Sequence, residues 1–88
     1  MDEKELEKIL KALANKRRLL MLKILKSRRR VSMGTMANII KLSFRSTSKH
    51  FSILYAADLV DREQDGLSMY YSLSLKPHKA VSSVLSII

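Results

Sequence analysis

The chain has 88 residues, no cysteine, and a net charge of +9 from seventeen Lys and Arg residues against eight Asp and Glu. A chain of this length supports one domain with one modest hydrophobic core. The lack of cysteine excludes disulfides, thiolate metal ligands and cysteine nucleophiles. No apolar run approaches the roughly 20 residues that cross a bilayer, and the start MDEKELEK is too charged for a signal sequence, so we expect a soluble, cytoplasmic protein.

The charges are unevenly distributed along the chain. All eight acids lie in residues 2–7 and 58–65, whereas residues 8–57 hold thirteen Lys or Arg and no acid. A field of one sign attracts polyanions, with nucleic acid as the first candidate and an anionic membrane surface as the second. The membrane is disfavoured because the basic helices predicted below need their apolar faces for the core. A basic surface kept only for solubility would usually mix the two signs.

The apolar spacing predicts a first amphipathic helix from Glu3 to Leu13, with acids in its first turn. Its inward stripe is Leu6, Ile9, Leu10 and Leu13. Asn15 is a good N-cap for a second helix, which the run Ser27 to Arg30 should end as an exposed basic loop. The residues expected to face inward in this helix are Leu19, Leu22 and Leu25 or Ile24, while those facing out are Lys16, Arg17, Lys23 and Lys26.

A helix-turn-helix is predicted next. The stretch around Val31 is either an isolated short strand or a loop, after which Ser32 can cap a third helix. That helix carries Met36, Ile39 and Ile40 inward, and Gly34 weakens its first turn by roughly 1 kcal/mol relative to alanine. The pattern breaks at Lys41-Leu42-Ser43, and Ser43 is placed to cap a fourth helix from Phe44 to about Ala57. Two short helices joined by such a turn form a helix-turn-helix.

After Asp58 the apolar spacing changes from helical to alternating, which predicts two strands, Leu59 to Gln64 and Leu67 to Leu73. The second strand should place Leu67, Met69, Tyr71 and Leu73 on one face. Asp65-Gly66 between the strands predicts a type I′ turn, whose two central residues both need positive φ.

Pro77 can open a last helix, whose apolar stripe is Val81, Val84, Leu85 and Ile88. The predicted order is therefore helix, helix, helix, helix, hairpin, helix. This is a mainly α fold with a small β-hairpin, in a single domain over residues 1–88.

The fourth helix separates into two faces when its residues are placed 100° apart. Thr47, Phe51 and Leu54 define the buried side, and His50 lies at the margin of the core. The opposite side carries Arg45, Lys49, Ser52 and Ala56, with Ser46 and Ser48 beside them. Phe44 is equally compatible with contact to a thymine methyl group and with packing toward the core.

A helix face made of short hydroxyls and long cations suits insertion into the major groove of DNA. Arg and Lys donate to guanine acceptors or to phosphates, and Ser bonds either without steric bulk. The alternative is an ordinary solvated helix face, but Ser is a mediocre helix former, so its abundance here favours a contact role. The hairpin is a weaker candidate, because DREQDGLS holds one cation against three carboxylates. We expect it mainly to cover one end of the core, although Arg62 can reach a phosphate.

Two long segments of the chain resemble the ArsR family of winged-helix repressors. LKALANKRRLLMLKIL, residues 10–25, is similar to the family's "LKALADPTRLRILELL". LSFRSTSKHFSILYAADLVDRE is similar to "LSQSTVSRHLKVLREAGLVRSR", and the run YYSL at 70–73 to "YYRL" on the second wing strand. The likeness covers residues 10–73 without a clear gap.

The resemblance implies a winged helix-turn-helix fold in a homodimer that binds double-stranded DNA at a palindromic operator. The DNA-binding residues implied by it, together with the exposed face above, are Ser43, Phe44, Arg45, Ser46, Ser48, Lys49, His50, Ser52 and, on the wing, Arg62. The dimer interface implied for the terminal helices uses Leu6, Ile9, Leu10, Val81, Val84, Leu85 and Ile88. The alternative for these residues is burial in the chain's own core.

The resemblance fails at the metal sites that many members of the family carry. Their "CVC" segment aligns with Ser32-Met33-Gly34, which has no thiolate, and the alternative site on the last helices needs acid and histidine pairs. No acid follows Asp65 and only His78 is present there, so we expect no metal, no cofactor and no metal-responsive release. Any effector is unknown. No carboxylate pair, activated nucleophile or phosphate-binding glycine loop indicates an enzyme.

The sequence therefore predicts a sequence-specific DNA-binding transcriptional regulator. The alternative is a winged-helix interaction module whose basic half docks an acidic protein.

Overall fold

The computed structural model describes all 88 residues, as five helices and three strands. In chain order these are α1 (Glu3–Leu13), α2 (Lys16–Arg28), β1 (Arg30–Ser32), α3 (Met33–Ile40), α4 (Phe44–Ala56), β2 (Val60–Asp65), β3 (Ser68–Leu73) and α5 (Lys79–Ile87). The β2–β3 hairpin is the wing. The expected mainly helical winged helix-turn-helix fold is confirmed, with one strand more than the hairpin alone.

Side-chain caps set where the helices begin. Asn15 Oδ1 accepts from the backbone N–H groups of Arg17 and Arg18 at 3.0 and 3.1 Å, as predicted for the start of α2. The predicted Ser32 and Ser43 caps are also confirmed, since each Oγ accepts from the N–H three residues ahead. The last helix does not begin at Pro77 as predicted. His78 is its cap, with Nδ1 accepting from the Ala80 N–H at 3.1 Å, and α5 begins at Lys79.

Residues with positive φ follow α2 and α3. Arg29 has a φ of 70° and Lys41 a φ of 57°, and each reverses the chain directly after its helix. The reversal at Arg29 sends Arg30 into β1, so the predicted basic loop over residues 27–30 is wrong. β1 is not an isolated strand either, because Val31 pairs with Tyr71 of β3 in an antiparallel sheet of order β1-β3-β2.

The wing turn lies one residue later than predicted. Asp65 pairs with Ser68, so the two loop residues are Gly66 and Leu67, and of these only Gly66 has a positive φ, 63°. Glycine at the first central position, with positive φ there alone, is typical of a type II′ turn. The predicted I′ turn is therefore wrong, and Leu67 lies fully exposed at the tip instead of sharing a face with Tyr71.

The core lies between the helices and one face of the sheet. α2 contributes Met21, Leu22 and Leu25, whereas Leu19 and Ile24 are only half-buried, so the inward face of this helix is rotated from the predicted one. Other parts of the chain contribute further fully buried apolar side chains to the core, among them Met36, Phe51, Leu54, Leu59 and Val60. The core thus reaches α4, the helix whose opposite face is the candidate site.

Candidate nucleic-acid interface

The predicted buried face of α4 is confirmed. Thr47, Phe51 and Leu54 have no exposed surface, and Thr47 Oγ1 donates to the Ser43 carbonyl at 2.9 Å. Thr47 is buried without an unsatisfied hydroxyl because of this hydrogen bond. Together the three side chains fix the rotation of α4 about its own axis.

The opposite side of α4 is open to solvent, and we call it the outer face; it consists of Phe44, Arg45, Ser46, Lys49 and Ser52. Phe44 is 64% exposed and points outward, so packing toward the core is excluded for it. Ser48 is half-buried beside this face, and Ser43 is exposed but its Oγ already accepts from the Ser46 N–H. The outer face contains two cations and no carboxylate.

His50 is not part of the outer face. It is half-buried, and its Nδ1 lies 3.3 Å from Nη1 of Arg18 on α2. Because a guanidinium has donors and no acceptor, Nδ1 must be the unprotonated ring nitrogen in this contact. Burial, and then the positive charges of Arg18, Arg17 and Lys49, lower the pKa of His50. The residue implied by resemblance as a DNA contact therefore serves to join two helices.

Arg18 is a buried cation behind the outer face that the sequence interpretation missed. Its Nε donates to the Ala12 carbonyl at 2.7 Å and its Nη2 to the Lys11 carbonyl at 3.0 Å, which satisfies the C-terminal end of α1. Burial lowers the pKa of this guanidinium. The spacing of Arg18 from Met21, Leu22 and Leu25 was a signal that it lies on the inward face of α2.

A cavity of about 440 Å³ separates α4 from the wing, and we call it the wing groove. Phe44, Ser48 and Ser52 line its helix side, and Arg62 and Gln64 of β2 line the wing side. The Arg62 guanidinium stacks 3.8 Å from the ring centroid of Tyr55 on α4, which holds this cation beside the outer face. None of the twelve residues that line the groove is an acid.

The predicted dimer residues divide between the core and the surface. Ile9 and Val81 are only 8% and 2% exposed and pack in the chain's own core, so they offer little surface to a partner. Leu10 is 50% exposed, Leu6 is also exposed, and Val84, Leu85 and Ile88 are half-buried against the core. Ile87, which the sequence interpretation left out, is 82% exposed.

Nowhere in the chain do three His, Asp or Glu side chains come together as a metal ion would need. None of the five helices is both long and apolar enough to cross a membrane.

Solved structures of transcription regulators match the chain over nearly its whole length. HlyU from Vibrio cholerae is 27% identical with a TM-score of 0.82, and the match covers 99% of this chain and 92% of HlyU. NolR from Sinorhizobium fredii is 34% identical with a TM-score of 0.76, over 96% of this chain and 80% of NolR. No family model matches the sequence, and no curated protein matches it significantly.

A third structure shares the fold at lower identity. The domain Mb0332 from Mycobacterium bovis, described as a homodimeric winged helix-turn-helix DNA-binding domain and a possible ArsR-family regulator, is 23% identical with a TM-score of 0.81. The match covers 96% of this chain and 74% of that domain. The fold and the cationic outer face of α4 thus define a winged helix-turn-helix protein of the transcription-regulator class. With its 34% identity to NolR, the chain belongs to the ArsR family of winged-helix transcriptional regulators.

Proposed function

We propose that this protein is a sequence-specific, double-stranded DNA-binding transcriptional regulator that inserts α4 into the major groove. The observation that carries the proposal is the outer face of α4. Its Arg45 and Lys49 project from a helix whose rotation is fixed by three buried side chains on the opposite side. Cations reach guanine acceptors or phosphates, and the hydroxyls of Ser46 and Ser52 bond base edges without steric bulk.

The proposal includes a homodimer on a palindromic operator. The exposed apolar side chains of the terminal helices support it, since Leu6, Leu10 and Ile87 lie open to solvent in the single chain. Mb0332, which has the same fold, is described as homodimeric. Two copies related by a twofold axis would place their α4 helices in half-sites about 34–36 Å apart, one turn of DNA.

The proposed regulator does not respond to a metal and is not an enzyme. The segment that aligns with the family's paired cysteines is Ser32-Met33-Gly34, and it offers hydroxyl and thioether groups where a thiolate would be required. Release from DNA therefore depends on another effector, or on the abundance of the protein itself.

Selection of bound sites from a pool of random duplexes tests this function. We expect enrichment of a palindrome whose half-sites are one helical turn apart, because a palindrome reports both sequence specificity and twofold symmetry. Arg45→Gln/Lys49→Gln should select nothing under the same conditions. A pool without any enriched motif would contradict the proposal and favour docking of an acidic protein on the basic half.

A further inference from the structure

The wing has two chemically different faces, although its sequence is acidic overall. Paired residues of neighbouring strands lie on the same side of a sheet, and successive residues alternate between sides. Arg62 pairs with the buried Tyr71, and Gln64 pairs with Met69, so these four side chains share the face toward α4. The three acids of the wing, Asp61, Glu63 and Asp65, lie on the other face.

Arg30 holds two of these acids. Its Nη2 lies 3.3 Å from Oε1 of Glu63 and 3.5 Å from Oδ2 of Asp65, and its guanidinium stacks 3.7 Å from the ring centroid of Tyr70. Arg30 belongs to β1, at the far edge of the sheet from β2. Its side chain therefore crosses β3 to reach the acids, and Tyr70 supports it on the way.

These ion pairs contribute little to folding. All three charged side chains are substantially exposed, and exposed pairs are weak because water screens them. The ion pairs matter more for the approach of a polyanion. Two uncompensated carboxylates on the opposite face of the same thin sheet would repel a phosphate chain in the wing groove.

We propose that Arg30 is a positioning residue for DNA binding. It offsets one of the two negative charges of Glu63 and Asp65 and ties β1 to the outer strand of the hairpin. Arg62 and Gln64 of that strand face the wing groove, which takes the sugar–phosphate backbone of one DNA strand. The hydroxyl of Ser48 and the Arg62 guanidinium are donors for phosphate oxygens, and the apolar Met69 meets the deoxyribose. Arg30 itself stays on the opposite face of the sheet. This inference rests on the proposed function.

A charge-reversion series tests the role of Arg30, with affinity for the selected duplex measured by fluorescence anisotropy. Arg30→Gln should bind about three- to tenfold more weakly at 100 mM salt, the scale expected for a change of one or two charges near DNA. Adding Glu63→Gln to Arg30→Gln restores the net charge of this cluster, one negative charge, and should return the affinity to within about twofold of the unsubstituted protein. Circular dichroism of each variant checks that it is folded.

Arg28→Gln is the matched control, because Arg28 is exposed, two residues away and carries the same charge without an ion pair. Adding Glu63→Gln should strengthen binding by Arg28→Gln less than it strengthens binding by Arg30→Gln, because Glu63 is still paired with Arg30 in the first variant and unpaired in the second. If Arg30→Gln/Glu63→Gln stays as weak as Arg30→Gln, Arg30 contacts DNA directly and the proposal is wrong. Unchanged binding by Arg30→Gln would also overturn it while leaving the proposed function intact. If the unsubstituted protein binds no duplex, both fall together.

Discussion

The ring of Phe51 on α4 lies flat on the ring of Tyr71 on β3, with centroids 3.7 Å apart and planes 4° from parallel. Phe51 faces away from the outer face, and Tyr71 pairs with both Val31 and Arg62 across the sheet. This stack therefore connects the helix proposed to enter the major groove with the wing beside it. This aromatic pair and the stack of Arg62 on Tyr55 together set the relative position of the two elements.

Phe51→Ala should lower the free energy of unfolding by about 3–5 kcal/mol, the usual effect of removing a buried phenyl ring. Phe44→Ala is the matched control on the same helix, because Phe44 is 64% exposed and surface substitutions usually change stability by no more than about 0.5 kcal/mol. Urea unfolding followed by circular dichroism measures both. Similar losses in the two variants would show that α4 is rotated from the orientation described.

The contact between His50 and Arg18 predicts a pH dependence of stability. The pKa of His50 is lowered in the folded chain, so just below the ordinary histidine value of 6.5 the unfolded chain binds more protons than the folded one. The contribution of neutral His50 to the free energy of unfolding should therefore be fully present above about pH 6.5. It should decrease as the pH drops toward the pKa of His50 in the folded chain. The slope from one proton cannot exceed about 1.4 kcal/mol per pH unit.

His50→Gln supplies the control for this prediction, since an amide oxygen can accept from Arg18 without titrating. As the pH is lowered from 7.5 to 5, the free energy of unfolding should fall for the unsubstituted protein and stay nearly level for His50→Gln. His78 is present in both and cancels in the comparison. A parallel decline in the two proteins would mean that another group is responsible.

The exposure of Leu10 predicts that self-association can be separated from folding. Leu10→Glu should abolish a homodimer, because it places a charge on an apolar surface that is 50% exposed in the single chain. Its stability as a monomer should change little. The neighbouring Ile9→Ala should instead lower the free energy of unfolding by about 2–5 kcal/mol, since Ile9 is buried.

Sedimentation velocity with circular dichroism distinguishes these outcomes. Leu10→Glu should sediment as a folded monomer. A Leu10→Glu protein that still dimerises would exclude this part of α1 from the interface.

The helix boundaries were predictable because they depend on short-range chemistry. Asn15, Ser32 and Ser43 cap the backbone N–H groups two or three residues away, and such contacts are visible in the sequence. The buried face of α4 followed from helical spacing for the same reason. Helical spacing, however, does not predict which residue of another helix a side chain contacts. It could not show that His50 contacts Arg18, which lies 32 residues away in sequence.

Long-range pairing accounts for most of what sequence interpretation missed. Val31 alone does not predict a strand, since β1 exists only because β3 offers a free edge to pair with it. The acidic composition of the wing also concealed its two faces, because Arg30 and Glu63 come together through the sheet and not through sequence.

The central claim, that the outer face of α4 contacts DNA, is tested most directly by the salt dependence of duplex binding. Affinity for the selected duplex should fall by roughly 10³ to 10⁵ between 50 and 200 mM salt if 6 to 10 phosphates are neutralised. Arg45→Gln/Lys49→Gln should weaken binding at least about tenfold and flatten the salt slope by about 1 for each cation that contacts a phosphate. Lys4→Gln/Lys8→Gln removes the same charge from α1, where three Lys and three Glu balance, and should stay within about threefold of the unsubstituted protein. Equal affinities for the two double variants would contradict the account.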